Sequence, residues 1–252
     1  MASMLLLSLV PGLVPGPWDN ANASPRERAM ALAAEMTLDE KLVMLHGPDS
    51  CGPTGTINDY WEPNEQCPYV GNVPGNTRLD IPPINMNDGP QCFRVGGKYP
   101  QGTSTAWPSG LTIAASWDVD AVHEWGAGMG KEFFGKGSNV QLGPGLCLAR
   151  VPHNGRNFEY MSGEDPHLGA TLVGPAIKGI QEQGVVANAK HWVLNNQETN
   201  RQAVDALASE RARYELYYPP FLGAVKAGVG SFMCSYVASH ETPTLPPLGA
   251  VC

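Results

Sequence analysis

Charge is scarce in this chain. Asp, Glu, Lys and Arg make up 16% of the 252 residues, and 24 acids against 16 bases leave a formal charge of −8. A protein that holds nucleic acid or an anionic membrane needs a basic surface, so this balance argues against both and favours a neutral ligand. Long apolar runs are missing too. The most apolar stretch, Met4 to Val10, is too short to cross a bilayer, so no membrane span is expected. Closely paired cysteines are absent: Cys51, Cys67, Cys92, Cys147, Cys234 and Cys252 are scattered, which excludes the usual zinc-binding spacing. No Gly-x-Gly-x-x-Gly opens a helix after the first strand and no phosphate-binding P-loop occurs, so a nucleotide cofactor is not expected. No internal repeat or low-complexity segment is visible.

Glycine (29) and proline (23) are abundant, so much of the chain lies in turns and shaped loops. The remaining composition is that of a folded globular protein, and its length suits one large core. At the N-terminus Met4 to Val10 resembles the apolar region of a signal peptide, with Ala21-Asn22-Ala23 resembling a cleavage site. Residues 1–23 are therefore read as a signal peptide or a disordered segment. In an oxidising compartment Cys51 and Cys67, which bracket an irregular loop, could form a disulfide, and free buried thiols are the alternative.

Helix and strand signals then alternate. Ser24-Pro25 starts a helix with Ala29, Leu32, Ala33 and Met36 on one face, and Thr37 to Glu40 is a capping box for a second helix that Gly47 ends. Ile84 to Met86 reads as a strand. Asp118 caps a helix carrying Val122, Trp125, Met129 and Phe133, and Val140 to Leu142 is a second strand. A helix over Leu168 to Gln183 precedes a strand over Val185 to Ala189. Ala203 to Tyr217 reads as helical, followed by a helix over Phe221 to Ala227 and a strand over Ser231 to Ser235. This order builds a parallel α/β sheet from βαβ units.

Polar clusters follow the strands. Asp88, the loop from Gly143 to Gly169, Lys190-His191 and Tyr236 each stand at or just beyond a strand's C-terminal end, where barrel and doubly wound folds build their sites. The Gly143 to Gly169 loop carries Arg150, Arg156, Glu159, Glu164 and Asp165 beside Phe158 and Tyr160, a mixture suited to a polar, planar-faced ligand such as a sugar. A lysine leaving a buried strand needs a partner, which marks Lys190 as functional. Tyr236 alone would read as core packing, and Asp88 alone as a turn residue.

In this order MNDGPQCFR, TAWPSGLTIAASWD, GRNFEYMSGEDPHLG, AKHW followed by LNNQETNR, and MCSY resemble the N-terminal barrel domain of family-three glycoside hydrolases, in the β-glucosidase branch. The resemblance implies a (β/α)8 TIM-barrel-like domain over residues 24–236. That barrel is incomplete, since about five strands are countable where eight close the fold. It implies hydrolysis of terminal non-reducing β-D-glucosyl residues with retention, no cofactor, no metal, and a β-glucoside or oligosaccharide as the partner molecule. Asp88, Arg94, Arg156, Lys190 and His191 would hold the hydroxyls of one glucose ring, the carboxylate accepting and Lys, Arg and His donating. Met233 and Tyr236 would line the floor, and Glu159 and Glu198 would orient the basic groups. The N-acetylhexosaminidase branch carries a Gly-rich, His-containing stretch where this chain has Trp192 to Asn196.

Retaining glycosidases use two carboxyl groups about 5 Å apart. The resemblance places the nucleophilic Asp downstream of Tyr236 and the acid/base Glu in a later domain, and neither motif occurs in this sequence. Val237 stands where the family usually has Asn, and residues 237–252 show no helix or strand period, so they are expected to form a divergent, structureless tail. Cys92 replaces a usual Gly, and the partner of Cys234 is expected shortly downstream. Three readings follow: an enzyme lineage of which this chain holds most of the sugar subsite, a sugar-binding pseudoenzyme, or an inactive fragment whose open barrel exposes strand edges and core.

Overall fold

A computed structural model of the chain describes residues 16–45, 69–95, 101–201, 203–236 and 238–240. The expectations for Met4 to Val10, Gly47, Cys51, Cys67 and Cys252 lie outside these residues. The chain divides into two compact units, one comprising residues up to 58 with 72–84, the other residues 59–71 with those from 85 onward.

In the first unit, α1 (Pro25–Glu35) starts at Ser24, whose side chain accepts from the Glu27 amide while the Glu27 carboxylate accepts from Ser24 in return. Thr37 and Glu40 form the expected capping box at α2 (Leu38–Leu45). Arg78 joins the two helices, meeting Glu40 at 2.6 Å and donating to the Glu35 carbonyl at 2.9 Å. That hydrogen bond holds the Glu40 carboxyl well below the usual carboxylate range. The expected apolar face of α1 is largely solvated: Met36 is buried and Leu32 half-buried, but Ala29 and Ala33 are exposed. The short strand β1 (Gly71–Val73) and the start of β2 (Ile84–Asn87) complete the segment.

The second unit holds the core. After β2 come α3 (Gly110–Ala114), α4 (Val119–Gly135), β3 (Val140–Gln141), α5 (Pro166–Glu182) and β4 (Val186–Trp192). They are followed by β5 (Asp205–Leu207), α6 (Glu210–Ala212) continued by a π-helical turn to Tyr217, α7 (Pro219–Lys226), β6 (Ser231–Cys234) and β7 (Ala238–His240). Strands β2, β3, β4 and β6 lie side by side in that order, all parallel. The fold is TIM-barrel-like α/β, with the described strands forming an incomplete barrel.

Helices cover one face of this sheet because their apolar stripes run at helical spacing. Val122, Trp125, Met129 and Phe133 of α4 are buried as their periodicity requires, against Leu172, Val173, Ala176, Ile177 and Ile180 of α5. Asp118 caps α4 through the amides of Asp120 and Ala121, and Asp165 caps α5 through His167. Gly126 lets the two helices touch: a Cβ there would stand 2.5 Å from the Ala176 carbonyl oxygen.

Three expectations need correction. Ala203 to Tyr217 is not one helix. Ser209 is the N-cap, its side chain accepting from Ala212, so helical structure begins only at Glu210. The residues upstream form β5, whose parallel partner β7 is distant in sequence. That same strand, Ala238–His240, falls where no regular structure was expected. Finally, Lys190 and His191 do not follow the strand but lie inside it. The register with β6 steps from Lys190↔Met233 to Trp192↔Cys234, which leaves His191 as the extra residue of a bulge.

Candidate active site

The parallel strands deliver their polar residues to one rim, at the C-terminal ends. Asp88 directly follows β2 and Tyr236 lies two residues beyond β6. The long loop after β3 brings Arg156 and Glu159, and β4 itself supplies Lys190 and His191. Gly145 sits between them, bridged to both Tyr160 and Lys190. A Cβ at Gly145 would come within 2.8 Å of the Glu159 carbonyl oxygen, so only glycine lets Glu159 and Tyr160 fold back this close to the chain leaving β3.

The charges form two linked sets. In one, Asp88 faces Lys190 at 3.5 Å and Arg94 at 3.6 Å. Lys190 is 3% exposed, and a lysine so buried requires this carboxylate. In the other, Arg156 faces Glu159 at 2.5 Å and Glu198 at 3.3 Å. Glu198 also meets Arg201 at 2.8 Å, and the Arg201 guanidinium lies 4.3 Å from the centre of the Tyr236 ring. His191 stands between the sets, next to Lys190 in sequence and with Nε2 3.4 Å from Arg156. Its ring centre is 6.4 Å from that of Tyr236.

Burial has chemical consequences here. It pushes the His191 imidazole well below its ordinary value, helped by the positive charges of Lys190, Arg156 and Arg201, so the ring is neutral near pH 7. The Cys147 thiol, whose Sγ donates to the His191 carbonyl at 3.4 Å, is pushed up to about 11 by burial. Such a thiol is inert as a nucleophile. Burial also raises Cys92, which takes the place of the expected glycine, and Tyr236.

The residues that the resemblance assigns to the subsite gather at this rim. Asp88, Arg94 and Lys190 are brought together, as are Arg156, His191, Glu159 and Glu198. Tyr236 joins through Arg201, and half-buried Met233 is placed beside Lys190 by strand register. The other charged residues of the Gly143 to Gly169 loop do not converge: Arg150 and Glu164 are exposed, and Asp165 is spent on the α5 cap. Two participants, Arg201 and Asn195, were not singled out, and Tyr160 was noted only as an aromatic of its loop. Arg201 carries a signal, standing three residues after Glu198. Among the described residues no group of three or more His, Cys, Asp or Glu side chains is arranged to hold a metal ion, and no helix is long and apolar enough to cross a membrane.

A parallel α/β sheet of barrel type, with ion pairs gathered at its C-terminal rim around one buried histidine, defines the class: an α/β-barrel protein with a rim site. The chain belongs to Glycosyl hydrolase family 3, residues 74–247 matching the N terminal domain. It is 39% identical over 247 residues to Beta-glucosidase 1 of Aspergillus aculeatus, covering 91% of this chain and 26% of that protein. Two solved structures share the fold. DesR, a beta-glucosidase from Streptomyces venezuelae in complex with D-glucose, superposes with a TM-score of 0.72 at 36% identity, over 86% of this chain and 25% of that one. Beta-glucosidase 3B from Thermotoga neapolitana in complex with alpha-D-glucose gives 0.74 at 34% identity, over 84% and 30%. The chain thus spans about a quarter of the length of the curated relatives it matches.

Proposed function

We propose that the rim is the glucose-binding half of a β-glucosidase site, in a protein that removes terminal non-reducing β-D-glucosyl residues with retention. The observation that carries this reading is the pairing pattern. Asp88 offers two carboxylate oxygens, flanked by Lys190 and Arg94, which is how a protein grips vicinal hydroxyls: oxygens accept from them while the cations donate back. Arg156, oriented by Glu159 and Glu198, supplies further donors. Met233 and Tyr236 form the floor beneath the ring. The full-length relatives named above are beta-glucosidases, two of them solved with glucose, which supports the substrate class.

Asp88, Glu159 and Glu198 each face a cation, so in this reading they bind and orient. In this reading the chain holds the sugar-binding groups and lacks the nucleophilic Asp and the acid/base Glu of a retaining glycosidase. The chain by itself binds glucose without hydrolysing a glucoside. Cys234 is disulfide-bonded, which supports secretion into an oxidising compartment.

Calorimetric titration tests this. Glucose should bind the chain, and Arg94→Ala and Asp88→Asn should each weaken it by about tenfold or more, the equivalent of one charge-assisted hydrogen bond. An aryl β-glucoside should not be turned over. A chain that melts cooperatively yet binds no glucose would overturn the subsite, and turnover would overturn the division of the catalytic groups.

A further inference from the structure

His191 has a protein group at both ring nitrogens. Nε2 is 3.4 Å from Nη2 of Arg156, and Nδ1 is 3.1 Å from the phenol oxygen of Tyr160. A guanidinium has only hydrogens to offer, so the ring must meet it with a lone pair at Nε2. A neutral imidazole that accepts at Nε2 carries its proton on Nδ1. That proton finds Tyr160, whose side chain is fully buried and whose ring stands edge-on to the imidazole. The Asn195 amide nitrogen donates to the same phenol oxygen at 3.2 Å; its longer approach to Nδ1, 3.4 Å, would need a lone pair there and is not a hydrogen bond in this tautomer. Asn195 is itself fully buried. The phenol oxygen therefore accepts from both the imidazole and the amide. His191 is also the bulged residue of β4, so the strand ladder does not dictate its direction and this buried pair can.

We infer that Tyr160 and Asn195 are positioning residues that hold His191 as its Nδ1–H tautomer, so that Nε2 meets a ligand hydroxyl as an acceptor and not as a donor. The expectation that His191 donates to the sugar is thereby reversed. A hydroxyl that takes the place of Arg156 at the single Nε2 lone pair gives its hydrogen there and keeps its oxygen free to accept from the displaced guanidinium, so histidine and arginine grip opposite ends of one O–H group. The ligand half of this inference rests on the glucose-binding reading above. The tautomer half does not.

The experiment is a long-range proton–nitrogen NMR correlation of the histidine rings in the uniformly labelled chain without sugar, with His191 assigned by its loss in His191→Gln. Near neutral pH, Nδ1 should appear at the protonated position and Nε2 at the unprotonated one. Tyr160→Phe removes the acceptor, so the protonated signal should move from Nδ1 toward Nε2 and glucose affinity should fall about tenfold. Asn195→Ala should produce a partial shift in the same direction. A purely structural Tyr160 would lower the melting temperature and leave the tautomer in place, overturning its positioning role. An Nε2–H ring in the wild-type chain overturns the inference outright, whether or not either variant folds. The stated tautomer in a folded chain that binds no glucose overturns the sugar reading instead.

Discussion

His191 is 1% exposed, is surrounded by three cationic side chains, and cannot take up a second proton without burying another positive charge. Its folded-state pKa lies well below the ordinary value near 6.5, which it regains on unfolding. Above that ordinary value the ring is neutral in both states and adds no pH dependence. Below it the unfolded chain binds a proton that the folded chain refuses. Stability then falls with pH, by up to about 1.4 kcal/mol per pH unit, until the folded ring also titrates. Urea midpoints of the wild type and His191→Gln at about pH 7.5, 6 and 5 should show the wild-type advantage shrinking as the pH falls. A pH-independent difference would mean that the ring titrates normally. At this scale the rim cluster was largely legible, because Asp88, Arg156, Lys190, His191 and Glu198 announce themselves as charged or titratable groups in or just beyond strands. Asn195 did not, and Tyr160 was marked as a loop aromatic and not as a partner of His191. A tyrosine one residue from Glu159 and an asparagine in a polar loop gain their meaning only when folding buries both against one imidazole.

Among the elements, α4 and α5 were legible nearly to the residue, since helical periodicity and caps are local signals. Their mode of contact was not. Gly126 meets the Ala176 carbonyl oxygen, and Gly179 lies against the backbone of His123 and Ala127, so the helices approach backbone to backbone. In an isolated helix, replacing either glycine by alanine would stabilise by about 0.5–1 kcal/mol. Here the added methyl must push two helices apart, and Gly179→Ala should lower stability by about 1–3 kcal/mol. Gly135→Ala, at the end of α4 with no atom within 4 Å of the added carbon, is the control and should be neutral or stabilising. Equal denaturation midpoints for the two variants would refute close helix packing. The strands show the opposite limit. β5 has no amphipathic signature of its own and pairs with β7 across the chain, while the β4 bulge is fixed by its neighbour β6. No local reading of Ala203 to Tyr217, or of Lys190-His191, contains those partners.

For the molecule as a whole, the two sides of β4 divide polar from apolar. His191 turns to Arg156 and Tyr160, whereas Trp192 stacks on Tyr218 at 4.9 Å and meets Phe221 edge-on at 5.1 Å. Beyond Trp192 opens a cavity of about 560 Å³ lined by Tyr214, Tyr218, Phe221, Leu222, Val225 and Phe232. Tyr214, Leu222 and Val225 are each more than half exposed there (66%, 53% and 57%). An incomplete barrel was expected to show apolar surface, but composition could not say where, because apolar residues on α7 read equally well as core. An open, nearly all-apolar cavity of this kind gathers hydrophobic dyes and promotes self-association. The native chain should therefore enhance anilinonaphthalene sulfonate fluorescence before any denaturant is added. The paired substitution Leu222→Lys and Val225→Lys should cut that signal by roughly half or more and reduce light scattering at high concentration. Glucose affinity should stay unchanged, because the substitutions lie on the apolar side of β4. Dye binding that begins only as the chain unfolds would show the groove to be closed in solution. A joint loss of dye and glucose binding would show that the two sides of β4 are not independent.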